Sequence, residues 1–197
     1  MKQRTKLILF CTPGILVILA LIILDLYVHN FHTVIPNEVY RSQQLSGAQF
    51  THVIKDYHIK SILNLRGNNQ GQAWYAAEIN ASKKADVKHY NIALKSKVMP
   101  TPKQMNRLVH ILNTAPKPLL LHCESGVDRS GLASMISLIL ADVPLKTAEQ
   151  EVSMRYFVLS DQSVGLQFLR RYKAFLAKHK LQSNKHSLDE WLKIYGH

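Results

Sequence analysis

One short segment, Leu119-Leu120-Leu121-His122, constrains the fold more than any other part of this 197-residue chain. It follows Pro116 and Pro118, and it precedes a polar loop and an apolar helical segment. A short, continuous apolar run is typical of a strand buried on both faces, and such strands occur in parallel sheets covered by helices. The segment therefore predicts an α/β protein with helices on both sides of its sheet.

Further strands and helices alternate along the rest of the chain. This order predicts an α/β fold with a central, mostly parallel sheet flanked by helices. Ligands of such folds bind at the carboxyl ends of the strands. The residues before Pro36 are interpreted as a linker. The other predicted strands are 39–41, 59–65 and 87–92, and the predicted helices are 46–57, 72–84, 101–113, 130–141, 147–156, 161–179 and 187–195.

The amino-terminal segment is strongly apolar. Residues 7–24 carry no charge, and at about 1.5 Å per residue this run reaches about 27 Å, near the thickness of a bilayer core. We therefore expect one N-terminal transmembrane helix spanning about residues 7–28. A cleaved signal peptide is the alternative, but the A-x-A-like pattern that it requires is absent after the run.

The charges beside this segment predict its orientation. Lys2, Arg4 and Lys6 precede the run, and no Lys or Arg follows it before Arg41. The positive-inside rule then leaves the N-terminus in the cytoplasm and the catalytic domain on the outer side, periplasmic in a Gram-negative bacterium. The predicted organisation is a cytoplasmic stub and anchor over 1–32 and a catalytic domain over 33–197.

The charge and the cysteine content limit the classes of partner. The formal net charge is +12 at pH 7, but the basic residues are scattered and are not interleaved with aromatic residues, so no nucleic-acid partner is expected. Cys123 is the only cysteine after Cys11, which excludes a disulfide within 33–197. No metal or other cofactor is expected.

The loop after Leu119–His122 carries the chemistry. Five residues separate Cys123 from Arg129, a spacing that allows the backbone to curl into a ring of N–H groups, and Gly126 adds backbone freedom in mid-loop. A helix that starts at the ring directs the positive end of its dipole towards it. Such a cradle binds a phosphate dianion, with a fork of two hydrogen bonds from Arg129, and it stabilises a thiolate at Cys123.

The pattern His-Cys, five residues, Arg-Ser resembles the signature of the protein tyrosine phosphatase superfamily, most closely its compact atypical dual-specificity branch. The segments Val39–Ser42 and Ile62–Arg66 resemble that branch as well. The resemblance implies the cysteine phosphatase fold, a cysteinyl-phosphate formed at Cys123 and phosphate binding by Arg129. It further implies that Ser130 eases thiolate departure and that His122 orients the loop and helps to keep the thiolate ionised. The backbone of the loop would bind phosphate through Glu124, Ser125, Gly126, Val127, Asp128 and Arg129.

The sequence departs from the family pattern at the general acid. Most members carry an Asp in the loop before the helix that precedes the signature strand, but here that loop, residues 93–100, contains neither Asp nor Glu. Asp128 inside the cradle is the candidate replacement, as in the myotubularins, with a purely structural role as the alternative. Glu78 is a more distant candidate.

The substrate remains open between a phosphoprotein, a phospholipid and a small phosphate ester. Glu124 and Asp128 disfavour a highly charged headgroup, whereas Lys95, Lys97 and the predicted membrane anchor favour one. The predicted function is a cysteine-dependent phosphate monoester hydrolase of protein tyrosine or dual-specificity phosphatase type. The alternatives are a phospholipid or small-ester phosphatase of the same fold, a weakly active phosphate-binding pseudophosphatase, and a basic protein that binds a membrane surface.

Overall fold

The computed structural model describes residues 30–195. Its centre is a five-stranded sheet with the strand order β1-β2-β5-β3-β4. The first strand is antiparallel to the second, and the other neighbouring pairs are parallel. The sheet is therefore mixed but mostly parallel, as predicted. The strands are β1 (His32–Ile35), β2 (Val39–Ser42), β3 (Ser61–Asn64), β4 (Lys88–Asn91) and β5 (Leu119–His122).

Helices cover the sheet, and the chain after the last strand is entirely helices and loops within the described residues. Two of the helices begin with a capping box, in which Ser46 is bonded reciprocally with Gln49, and Thr101 with Gln104. The helices are α1 (Gly47–Asp56), α2 (Ala73–Lys84), α3 (Pro102–Thr114), α4 (Asp128–Leu140), α5 (Leu145–Ala148), α6 (Val164–His179) and α7 (Lys185–Tyr195), with two short 3₁₀ helices at Glu149–Val152 and Met154–Tyr156.

The central strand β5 separates two apolar clusters. Leu119, Leu121 and Cys123 face the larger cluster, which contains much of α3, α4 and α6. Leu120 faces a smaller cluster built around Phe50 and Ile54 of α1. Because successive side chains of a strand point to opposite faces, His122 lies on the α1 side, and its ring packs edge-on against Phe50. The adjacent residues His122 and Cys123 therefore point to opposite faces of the sheet.

Helix α4 runs through the larger cluster, and every residue from Ser130 to Ile139 is buried. Its first residue, Asp128, belongs to the loop that follows β5. A helix that is buried on all sides is held by packing around its whole circumference. The loop is therefore fixed at one end by β5, which is buried in the sheet, and at the other end by α4.

Some predicted elements are wrong. Residues 32–35 were interpreted as a linker but form the edge strand β1, whose hydrogen bonds to β2 the local sequence does not reveal. The predicted helix 147–156 is instead a single α-helical turn followed by two 3₁₀ helices. It breaks where Glu151 turns inward to a buried arginine, a tertiary contact that periodicity does not report.

The predicted membrane anchor also requires correction. None of the helices within 30–195 is both long and apolar enough to cross a bilayer. The expected span over about 7–28 lies outside the described residues. The described residues therefore give no support to the expected transmembrane helix, single-pass membrane localisation or membrane partner. The longest helix within 30–195, α6, has an apolar face and a charged face as a surface helix does, because only one of its faces packs on the core.

Candidate active site

The predicted cradle lies at the carboxyl edge of the sheet, between β5 and α4. Cys123 is the first residue after the strand and is 1% exposed, on the face occupied by α4. Gly126 adopts a φ of +71°, and a Cβ at this position would lie 2.7 Å from the backbone nitrogen of Gln43. Glycine is therefore required, both for the left-handed backbone and for the close approach of the neighbouring chain.

The carbonyl groups of residues 124–127 accept hydrogen bonds from donors outside the cradle. The backbone N–H of Gln44 donates to the Glu124 oxygen at 3.0 Å, and Asn30 Nδ2 donates to the Ser125 oxygen at 3.1 Å. Nη2 of Arg41 donates to the oxygens of Gly126 and Val127 at 2.6 and 3.3 Å. The N–H groups of residues 124–127 make no hydrogen bond within 30–195. The loop thus leaves a set of free donors beside Cys123.

The two carboxylates of the cradle are each paired with a cation. Glu124 is exposed, and its Oε2 lies 3.6 Å from Arg129 Nη2. Asp128 is mostly buried, and both of its oxygens accept from Lys97 Nζ, at 3.2 and 3.3 Å. Lys97 comes from residues 93–100, the loop that lacks the usual acid. The structure therefore brings this loop close to Asp128, but the side chain that contacts Asp128 is the cation Lys97 and not a second carboxylate.

The same loop is anchored to the rest of the site. Arg129 Nη1 points to the carbonyl oxygen of Leu94 at 3.5 Å. The backbone N–H of Val164 donates to Ser96, and Gln167 Nε2 donates to the carbonyl of Lys97. These contacts tie residues 93–100 to the beginning of α6 and to Arg129.

The remaining signature residues are buried. Ser130 Oγ lies 3.4 Å from the carbonyl oxygen of Ser42, within α4 and directly behind the cradle. His122 is on the opposite face of the sheet from Cys123, where its Nε2 lies 2.9 Å from Glu78 Oε1. His122 therefore lies on the α1 side of the sheet, next to the loop in sequence, and does not line the phosphate cradle.

Glu78 is the centre of a buried polar cluster. His89 Nε2 shares Oε1 of Glu78 at 2.6 Å, and Gln44 Nε2 donates to Oε2 at 3.0 Å. Burial by itself would raise the pKa of Glu78, but the hydrogen bonds from His122 and His89 lower this pKa to about 2. A carboxyl group with that pKa has no proton to give at neutral pH, so Glu78 is unsuited to the role of general acid.

Sequence reasoning missed three supporting residues: Arg41, Glu151 and Tyr156. Arg41 is fully buried under the cradle and pairs with Glu151 at 2.7 Å. The hydroxyl of Tyr156 donates to the other oxygen of Glu151 at 3.1 Å. The resemblance of Val39–Ser42 to the phosphatase branch drew attention to the segment that contains Arg41 but gave this residue no role. Nothing local marks Glu151, since it follows Arg41 by 110 residues.

This strand, cradle and buried helix define a phosphatase with the fold of the cysteine-dependent enzymes, and comparisons with known proteins agree. The model of the tyrosine phosphatase family matches residues 25–193. The chain belongs to the tyrosine phosphatase family, which confirms the resemblance in its signature. No curated protein matches the sequence.

Solved structures show the same fold at low sequence identity. The core catalytic domain of the PP-IP phosphatase SIW14 from S. cerevisiae is 24% identical with a TM-score of 0.60, covering 77% of this chain and 93% of that one. TpbA of P. aeruginosa is 16% identical with a TM-score of 0.55, covering 73% and 85%. PTPMT1 is 15% identical with a TM-score of 0.53, covering 75% and 99%. At these identities the likeness concerns the fold alone.

Proposed function

We propose that the chain hydrolyses phosphate monoesters through a cysteinyl-phosphate on Cys123, with phosphopeptides as its substrate class. One observation carries the proposal. The cradle between β5 and α4 turns its carbonyls outward and leaves the N–H groups of residues 124–127 unbonded within the described chain, beside Cys123 and Arg129. Free backbone donors at the start of a helix form an anion site, and its charge favours a thiolate as well as a phosphate.

The first step is a displacement at phosphorus. The Cys123 thiolate forms the S–P bond while the bond from phosphorus to the ester oxygen breaks, and the leaving oxygen takes a proton. The backbone donors and the Arg129 guanidinium hold the non-bridging oxygens, whose charge is spread in the transition state. The weak pairing of Arg129 with the exposed Glu124, at 3.6 Å, supports this role, because a bound phosphate can replace that carboxylate.

The second step hydrolyses the cysteinyl-phosphate and regenerates the free enzyme. Water attacks phosphorus, the S–P bond breaks, and the products are inorganic phosphate and the thiolate. Ser130 is buried behind the cradle, and its weak 3.4 Å contact with Ser42 leaves its hydroxyl able to turn towards Cys123 as the thiolate forms. Asp128 is the proposed proton carrier: in its protonated form it donates to the leaving group in the first step, and the carboxylate that results accepts a proton from water in the second.

The pairing of Asp128 with Lys97 bears on this role. The ammonium group holds the carboxylate at the mouth of the cradle, at 3.2 and 3.3 Å. Substrate entering the cradle brings a dianion that competes for Lys97. We expect Lys97 to move towards the substrate phosphate, which leaves Asp128 beside the ester oxygen.

The charges at the mouth favour phosphopeptides over polyphosphorylated ligands. Glu124 and Asp128 neutralise Arg129 and Lys97, so Lys95 is the remaining cation of the two neighbouring loops. A ligand with several phosphates would meet two carboxylates at the rim. SIW14 is described as a PP-IP phosphatase, but its identity with this chain is too low to transfer that substrate.

The test is a phosphate-release panel with the full chain. It compares nitrophenyl phosphate, phosphotyrosine peptides, phosphoserine peptides and an inositol polyphosphate. We expect hydrolysis of the nitrophenyl ester and of the peptides at a higher kcat/KM than the inositol polyphosphate. A preference for the inositol polyphosphate would overturn the substrate class. An absence of turnover on every ester, with phosphate still bound, would overturn the enzymatic function and favour a phosphate-binding pseudophosphatase.

A further inference from the structure

A second arginine, outside the signature, lies directly beneath the cradle. Arg41 in β2 is 0% exposed. Its Nη2 donates to the carbonyl oxygen of Gly126 at 2.6 Å and to that of Val127 at 3.3 Å, while Nη1 donates to the side chain of Glu151 at 2.7 Å and to its carbonyl at 2.9 Å. One guanidinium therefore joins two successive peptide groups of the cradle to a buried carboxylate.

By holding two carbonyl oxygens of the cradle, Arg41 also determines where the neighbouring N–H groups point. The C=O of one residue and the N–H of the next lie in one plane and point in opposite directions. Holding the Gly126 oxygen down on Arg41 turns the N–H of Val127 upward, away from the guanidinium. The Val127 oxygen accepts from Arg41 at 3.3 Å and from the backbone N–H of Gly131 at 2.8 Å, and these two bonds together turn the N–H of Asp128 the same way. Two of the donors that face a bound phosphate are thus aimed from below.

The orientation of Arg41 is itself fixed. A buried charge is unfavourable unless it is paired, and Glu151 provides the pair. The ring of Tyr156 lies against the guanidinium, with its centroid 4.1 Å from Cζ, and its hydroxyl donates to Glu151. A planar fork can bind carbonyls on one side and a carboxylate on the other, which an ammonium group at this position cannot match.

We infer that Arg41 is a positioning residue for phosphate, which orients the Val127 and Asp128 N–H donors without touching the substrate. This inference rests on the proposed function and extends it to a residue in a different strand. Glu151 and Tyr156 hold the guanidinium in place. The inference separates Arg41 from Arg129, because Arg129 binds the substrate and Arg41 shapes the cradle that receives it.

The central experiment uses the double variant Arg41→Met/Glu151→Leu in the full chain. Replacing both members of a buried ion pair with apolar residues avoids an unpaired buried charge, so the fold is expected to persist. Loss of a positioned oxyanion donor lowers the rate on the order of 100-fold, and we expect that loss in kcat/KM. The loss should be equal for nitrophenyl and alkyl phosphates, because the cradle binds the same phosphate in both.

A binding readout makes the test independent of turnover. In the Cys123→Ser background, inorganic phosphate should shift the ¹⁵N–¹H resonances of Val127 and Asp128. The double substitution should weaken phosphate binding and reduce these two shifts. If the wild-type chain proves inactive on every ester, the proposed function fails, and this measurement still decides the role of Arg41.

Two further variants complete the design. Tyr156→Phe keeps the ring against Arg41 and removes only the hydroxyl bond to Glu151, so a smaller loss than in the double variant is expected. Arg41→Lys keeps the charge without the fork, and we expect an intermediate loss; it also serves as the test if the double variant does not fold. Wild-type kcat/KM and phosphate affinity in a folded double variant, or in Arg41→Lys, would overturn the inference.

Discussion

His122 Nε2 lies 2.9 Å from Glu78 Oε1, and both side chains are fully shielded from solvent. His89 Nε2 approaches the same oxygen at 2.6 Å, and Gln44 donates to the other one. Only an ionised carboxylate accepts from all three donors at once. The residue before Cys123 is therefore held by a charge on α2, on the face of the sheet opposite the thiol.

This cluster predicts an acid-sensitive contribution to stability. Hydrogen bonds from His122 and His89 outweigh burial and hold the pKa of Glu78 at about 2, below its ordinary value of 4.5. The contribution is present above about pH 4.5 and is lost as the pH falls towards 2; it amounts to roughly 3 kcal/mol. Urea unfolding at pH 5 and pH 3 should show a smaller pH dependence in Glu78→Gln than in the wild type. The matched control is Glu124→Gln, an exposed substitution that should keep the wild-type change in unfolding free energy between pH 5 and pH 3. The same change in Glu78→Gln as in the wild type would contradict this prediction.

The second prediction concerns the nucleophile. Cys123→Ser should abolish turnover, because a serine hydroxyl is a much weaker nucleophile than a cysteine sulfur, while the backbone donors still bind phosphate. Phosphate release and isothermal titration with inorganic phosphate measure the two properties separately. Acid quenching of the wild-type enzyme during turnover should reveal a phosphate adduct on Cys123 by mass spectrometry. Activity of Cys123→Ser within about tenfold of the wild type would exclude the covalent route.

The third prediction tests Asp128 as the general acid. Asp128→Asn should slow cleavage of an alkyl phosphate on the order of 10²–10³-fold, and of nitrophenyl phosphate much less, because only the alkoxide leaving group requires the proton. Single-turnover rates on the two esters measure this difference. Lys97→Met is the control, since it removes the cation paired with Asp128 and leaves the carboxyl group in place. Equal losses on both esters in Asp128→Asn would assign Asp128 a structural role.

The fourth prediction concerns the backbone of the cradle. Gly126→Ala should reduce both activity and stability, because its Cβ would lie 2.7 and 2.8 Å from the backbone of Gln43 and Ser42 at a φ of +71°. Gly71→Ala is a matched control, with a φ of +89° and no atom within 4 Å of the added Cβ. The control should lose about 1–2 kcal/mol of unfolding free energy, measured by urea titration, and keep its activity. If Gly126→Ala retained wild-type kcat/KM, the close approach of residues 42 and 43 would not matter to the site.

Local sequence patterns predicted much of the fold. The strand Leu119–His122 was predicted with the bounds that it has in the structure, since a continuous apolar run reports burial on both faces. The starts of the helices at Ser46 and Thr101 were likewise predicted, because each start depends on residues only three apart. The pairing of β1 with β2 and the two 3₁₀ helices were not readable, because they depend on contacts with distant residues.

In the candidate site, too, the local contacts were predicted from the sequence and the long-range contacts were not. The spacing of Cys123 and Arg129, with a strand before and a helix after, identified the cradle and its family from the sequence alone, because those contacts are local. The tertiary structure decided what surrounds it: Lys97 on Asp128, Glu78 beneath His122 and Arg41 beneath Gly126. Each of these partners is at least 31 residues away along the chain. Folding alone brings such charges together, since the free energy of pairing them depends on burial and distance, and neither is encoded in any single stretch of residues.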